Sequence, residues 1–169
     1  MCADFVCASP WTQLSTGCYR CTTSLKITIF PNPKYSFARF HDSPLTQSEA
    51  QRFCKHEQQF PSQLVEIDSA QENNAIVAEI KRRNPLAALL GTSLKIQFWL
   101  GITDRGSEGR WVTESNGNRL KFTNWSSGEP NNGWGNDEDC AHINHQYLWN
   151  DRNCNYKSEQ EIRTALCEM

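Results

Sequence analysis

The stretch EPNNGWGNDEDC, residues 129–140, gathers Glu129, Asp137, Glu138 and Asp139 among three asparagines, two glycines and a proline. Carboxylates this close repel one another unless a cation sits among them. Carboxylate and amide oxygens together suit a hard cation, and Ca2+ takes about six to eight oxygens, whereas Mg2+ prefers fewer protein ligands and keeps its waters. Trp149-Asn150-Asp151, a few residues on, adds one amide and one carboxylate. Cys140 and Cys154 bracket that segment, and a bond between them would pin it beside the acidic loop. The composition of residues 129–140 argues against a helix or an ordinary strand there. A long irregular loop inside a compact domain usually carries function or a metal.

The chain that must position this loop has 169 residues, enough for one domain with a real core. Six tryptophans promise large apolar payloads at a few places. A net charge of −2 and a pI near 6.1 argue against nucleic acid as a partner. No apolar run of about 18 residues marks a transmembrane helix. No signal-peptide pattern is present, and Met1 directly before Cys2 reads as a mature or trimmed segment with an added start methionine. The eight cysteines are Cys2, Cys7, Cys18, Cys21, Cys54, Cys140, Cys154 and Cys167. Zinc prefers paired C-x-x-C units, and Cys18–Cys21 has no second pair to complete a site. Four disulfides in an oxidising compartment is the better reading, with about 105 pairings open to eight cysteines. The sequon Asn124-Trp125-Ser126 fits secretion, although short sequons also occur by chance.

Regular elements are expected on both sides of the loop. CASPWTQLSTGCYR reads as a hairpin, and KITIF (26–30) and YSFARF (35–40) as two strands around Pro31-Asn32-Pro33. Thr46-Gln47-Ser48-Glu49 is a capping box that opens a helix to about Gln58, with Ala50, Phe53 and Cys54 on one face. Ser69-Ala70-Gln71-Glu72 is a second box, and Ile76, Val77 and Ile80 recur behind it at helical spacing to about Arg83. QLVEI (63–67), FWLGITD (98–104), RWVTE (110–114), LKFTNW (120–125), CAHIN (140–144), YLWND (147–151) and TALCEM (164–169) read as strands. About twenty residues after Trp125 carry no regular signal. Trp99, Trp111, Trp125 and Trp149 are expected in the core, and Arg82 and Arg83 suit the dipole at a helix end.

SEAQRFC, LVEIDSAQENNAI, WLGITD, EPN, EDC, WND and the final ALCE stand in the order of a C-type lectin-like domain, which the chain resembles over nearly its whole length. The resemblance implies an α+β fold: two helices, two small antiparallel sheets and a long Ca2+-binding loop, stapled by disulfides. It implies one domain over 1–169, with the long form's N-terminal hairpin at about 2–21. Residues 22–40 are an apparent inserted hairpin, either decoration or a contact surface for a second subunit. The implied disulfides are Cys54–Cys167, Cys140–Cys154 and Cys7–Cys18, which leaves Cys2 and Cys21 to pair.

The family's sugar site carries over onto Glu129 and Asn131 of EPN, Glu138 of EDC, and Asn150 and Asp151 of WND, with the Asp151 carbonyl as a further Ca2+ ligand. Two vicinal sugar hydroxyls would complete the ion's shell. Each hydroxyl can also donate to a carboxylate and accept from an asparagine NH2. The EPN order implies mannose-type ligands with equatorial 3- and 4-hydroxyls, namely mannose, fucose or N-acetylglucosamine, whereas QPD goes with galactose. Pro130 is expected to be cis. Asp104, Glu108, Asn132 and Asp139, with Glu138 shared, would form an auxiliary Ca2+ site; otherwise they are solvated loop acids. Trp134, between two glycines, would stack on a sugar ring or tuck under its own loop.

No nucleophile–base pairing marks a hydrolase. Glu129 and Glu138 could suggest a glycosidase pair, but beside the asparagines and WND they read as metal ligands. His142 and His145 lie in a strand region on opposite faces and make no metal motif. The expected function is a secreted or extracellular Ca2+-dependent lectin, not an enzyme, whose partner is a carbohydrate or glycoconjugate. The alternative is a binding module for a protein ligand or an ice surface. Ligation needs ionised carboxylates, so affinity should fall in acid. A shallow monosaccharide site binds in the region of about 1 mM, so useful avidity needs several copies.

Overall fold

The computed structural model describes residues 11–14, 17–20, 35–37, 44–56, 62–83, 97–158 and 163–168. The first helix, α1 (Gln47–His56), begins where the sequence sets its cap. The Thr46 hydroxyl accepts from the Glu49 N–H (3.2 Å) and Glu49 accepts from the Thr46 N–H (2.8 Å). Gln47, Ala50 and Cys54 form its buried face. The second helix, α2 (Ala70–Arg83), starts less symmetrically. The Ser69 hydroxyl accepts from the Glu72 N–H, but Glu72 reaches past Ser69 to the Asp68 N–H (2.8 Å). Ile76 and Ile80 are buried and Val77 half-buried, as the 3.6-residue period requires.

Strands β1 (Trp11–Leu14) and β2 (Gly17–Arg20) make an antiparallel hairpin. The main sheet runs β3 (Tyr35–Phe37), β9 (Arg163–Glu168), β5 (Gln97–Thr103), β7 (Cys140–Ile143), β8 (Trp149–Arg152). Short strands β4 (Gln63–Leu64) and β6 (Val112–Thr113) pair with β9 and β5. The two antiparallel parts expected from the resemblance are joined by the parallel β5–β9 pair. Every residue of β5 and β7 is buried, so these strands lie at the centre of the molecule. At Gly101 a Cβ would stand 2.8 Å from the Leu64 carbonyl, so glycine permits the close approach in which the Gly101 N–H bonds the Val65 carbonyl.

Four expectations are corrected. LKFTNW forms no strand: among the described residues isolated bridges stand at Arg119, just before it, and at Trp125, its last residue, while Leu120, Phe122 and Trp125 pack on the core. QLVEI is a strand only at Gln63–Leu64, because Val65 divides its bonds between Leu166 and Gly101. RWVTE keeps only Val112–Thr113, between turns at Gly109 and Gly117, both with positive φ. The acidic loop, from which a helix was excluded, contains one helical turn, α3 (Gly133–Asn136). The KITIF strand and the pairs Cys7–Cys18 and Cys2–Cys21 lie outside the described residues, as does the helix beyond His56.

The core under the loop is aromatic. Trp99 and Trp149 are fully buried, and Trp125 packs edge-on against both Trp111 (4.8 Å) and Trp149 (5.6 Å). His142 is buried in β7 with its ring edge-on to Trp99, whereas His145 is exposed in the following turn. The histidines thus stand apart, but because His145 lies beyond the end of β7 and not on the opposite face of the strand.

Disulfides Cys54–Cys167 and Cys140–Cys154 tie α1 to β9 and β7 to the segment after β8. The first closes 113 residues and is worth roughly 4–5 kcal/mol by loop entropy; the second closes 14 and is worth roughly 3 kcal/mol. Replacing Cys54 and Cys167 together by alanine should lower the unfolding free energy in urea by more than the same change at Cys140 and Cys154. At the α1 cap, the hydrogen bond from Lys157, helped by the Thr46 N–H, holds the Glu49 carboxyl down at about 2 from an ordinary 4.5. A depressed carboxyl stabilises the fold above its unfolded value and loses that contribution as pH falls through the folded one. Glu49→Gln should therefore melt below wild type at pH 7, and the gap should close between pH 4.5 and about 2.

Candidate functional site

Strand β8 provides the floor of the site. Trp149 is held by its N–H to the Asn124 carbonyl, by its carbonyl to the Ser126 N–H, and by its indole N–H to Asn73. With Trp149 fixed inward, alternation buries Asp151 and leaves Asn150 and Arg152 half-buried. Pairing with β7 sets Ala141 opposite Asp151 and Cys140 opposite Arg152.

The loop returns to this floor through its own backbone. The Glu129–Pro130 peptide is cis, as expected. The N–H groups of Asn131 and Asn132 both donate to Asp151 Oδ2, at 3.0 and 2.7 Å. Asn132 takes the left-handed conformation, which asparagine tolerates better than most residues. The chain then turns so that the Gly133 N–H reaches Asn131 Oδ1 (2.7 Å) and Glu138 Oε2 (2.9 Å), while the Glu138 N–H donates to Asn132 Oδ1 (3.0 Å). The Asn150 amide rests on the Asp151 carbonyl. Glu129, Asn131, Glu138, Asn150 and Asp151 are therefore brought together.

The electrostatics are those of crowded acid. Burial pushes the Glu129 carboxyl up to about 7; Asp151 adds to this by hydrogen bond and charge, and Glu138 by charge, while Arg152 opposes it. Asp104, buried at the end of β5, is also raised, first by burial and then by Glu108 and Asp139, against the Gly109 N–H that its Oδ2 accepts at 2.8 Å. Asn132 donates to Glu108, and the Asp139 carbonyl accepts from the Thr103 hydroxyl. The expected auxiliary residues Asp104, Glu108, Asn132 and Asp139 are thus neighbours beside the first group. Trp134 lies in α3, and its side chain is outside the described residues.

The residues fit a hard cation in their unmet bonding. Among the described residues, Glu129 Oε2, Asp151 Oδ1 and Asp104 Oδ1 are buried and accept from no N–H or hydroxyl donor. Buried carboxylate oxygens are ordinarily bonded, so orphans in both groups call for a positive charge. Among the described residues no three Asp, Glu, His or Cys groups close on one point. A cation here would therefore draw on amide and carbonyl oxygens as well, which suits Ca2+.

Two functional residues escaped the sequence reading. Gly133 carries no donor side chain, yet a Cβ there would stand 2.8 Å from Asn131 Oδ1 and 2.9 Å from Glu138 Oε2. Arg152 bonds Glu138 Oε1 at 2.9 Å; its position directly after WND was the available signal. Gly133→Ala should push Asn131 and Glu138 apart and weaken Ca2+ binding by roughly tenfold or more in calorimetric titration, as lost support of ligands does elsewhere.

Comparison with known proteins agrees with this architecture. Hepatic lectin of Gallus gallus is 37% identical over 97 residues, 57% of this chain and 40% of the hepatic lectin. The chain thus spans well under two thirds of that relative's length. The mouse scavenger receptor C-type lectin carbohydrate-recognition domain superimposes with a TM-score of 0.58 at 24% identity, over 96% of this chain and 95% of that one. The C-type lectin domain of murine dendritic cell inhibitory receptor 2, solved in complex with N-glycan, gives 0.58 at 22% identity, over 96% and 98%. At these identities the structural likeness speaks for the fold. The family model of the lectin C-type domain matches residues 43–169, and the chain belongs to that family.

Proposed function

We infer that this domain is a Ca2+-dependent lectin for mannose-type sugars: mannose, fucose or N-acetylglucosamine. The oxygens of Glu129 and Asp151 left without a donor among the described residues, buried where the loop closes onto β8, carry this reading. Glu129, Asn131, Glu138, Asn150 and Asp151, with the Asp151 carbonyl, would hold the ion. A bound Ca2+ supplies open coordination positions for two vicinal hydroxyls. The carboxylates of Glu129 and Glu138 would accept hydrogen bonds from the hydroxyls, and the amides of Asn131 and Asn150 would donate to the hydroxyl oxygens. Acids alone would offer no donor, and amides alone would leave the ion short of charge. Asp104, Glu108, Asn132 and Asp139, with Glu138 shared, would hold an auxiliary Ca2+ that fixes the loop.

The order of Glu129 before Asn131 supports equatorial 3- and 4-hydroxyls, by likeness to the family's EPN members. In this reading Glu129 and Glu138 act as ligands and perform no catalytic step. Two disulfides suit an oxidising compartment, so the domain would act outside the cell or in secretion, on a glycoconjugate presenting several copies of the sugar. Among the described residues no helix is long and apolar enough to cross a membrane.

Columns of immobilised mannose and galactose test the reading. In Ca2+ the domain should stay on mannose and pass through galactose, and EDTA should release it. Retention that survives EDTA would end the metal-dependent reading. Ca2+ binding without retention on either column would favour a protein or ice-surface ligand instead.

A further inference from the structure

Among the described residues, Arg152 is the cation bonded to the carboxylate cluster. Its Nη1 stands 2.9 Å from Glu138 Oε1, and the Glu138 side chain is only 2% exposed. The other oxygen, Oε2, takes the Gly133 N–H. Arg152 is not free to leave this position easily. It sits in β8 opposite Cys140, two residues before Cys154, and the Cys140–Cys154 bond closes that corner. Its guanidinium also lies over the Tyr156 ring, 5.2 Å from the centroid.

A fixed positive charge here has two consequences of opposite sign. Without Ca2+, Arg152 offsets the mutual repulsion of Glu129, Glu138 and Asp151 and helps keep the loop shut. With Ca2+, two cations share Glu138 in a water-poor setting, and they repel. We propose that Arg152 is a built-in competitor for Glu138 that lowers the domain's Ca2+ affinity while holding the Ca2+-free loop closed. This rests on the reading that Glu138 is a Ca2+ ligand. The chemistry is that of a resident guanidinium and a divalent ion sharing one carboxylate against their mutual repulsion.

Calorimetric titration with CaCl2 and thermal melting in EDTA, on wild type, Arg152→Gln and Arg152→Lys, test it. Arg152→Gln should bind Ca2+ roughly tenfold more tightly. The same variant should melt below wild type in EDTA, so its Ca2+-induced rise in Tm should be larger than wild type's. Arg152→Lys keeps the charge and should bind Ca2+ close to wild type. An Arg152→Gln affinity equal to or weaker than wild type overturns the proposal, since a merely structural arginine would give that result. Lysine binding as tightly as glutamine also overturns it, because charge would then not be the cause. A wild-type domain that takes up no Ca2+ would instead defeat the lectin reading, and this inference would fall with it.

Discussion

Glu129 and Glu138 of the loop and Asp151 of β8 crowd three carboxylates where the loop closes onto the strand, and the cost of that crowding governs what surrounds them. Each nearby device supplies positive character. The N–H groups of Asn131, Asn132 and Gly133 converge on Asp151 and Glu138, and Arg152 adds a full charge. Among the described residues these still leave Glu129 Oε2 and Asp151 Oδ1 without an N–H or hydroxyl donor. Burial of a carboxylate without a partner is costly. The loop is therefore organised around a charge deficit that the chain reduces but does not remove.

The remainder of the fold can be understood as support for that arrangement. Trp149 lies between Phe122 and Trp125, with its indole N–H on Asn73 of α2. A ring so constrained on several sides fixes where Asn150 and Asp151 emerge. At the other end of the strand, Cys140–Cys154 and the bond from the Gln47 N–H to the Cys154 carbonyl link the site to the start of α1. The site thus lies on rigid strands and a cross-linked corner, with the loop as its variable wall.

Much of this was legible in residues near one another in sequence. Thr46 with Glu49, and Ser69 with Glu72, are local signals, and both helices begin where those signals stand. Glu129, Asn131, Glu138, Asn150 and Asp151 were legible through resemblance, and the fold brings them together. What was not legible depends on distant partners. The strand expected at LKFTNW fails because its apolar residues report packing of Leu120, Phe122 and Trp125 on the core, and cannot report whether a ladder neighbour exists. Gly133 looks like any loop glycine until Asn131 and Glu138 are placed around it. Its turn of helix, α3, arises from bonds to those two side chains rather than from propensity.

Strand β3 comes from the stretch that looked like an addition to the fold, and it pairs with the C-terminal strand from Tyr35↔Glu168 to Phe37↔Leu166. An uncovered strand edge is a template on which a second chain can add. Here the chain itself pairs Leu166–Glu168, and the end of the sheet passes to β3, which offers only three residues as a template. Copies of the domain are thereby discouraged from zipping together through their sheets at this edge. A ladder between copies at this edge would have three residues to build on, so clustering that multiplies sugar contacts gains little from the sheet.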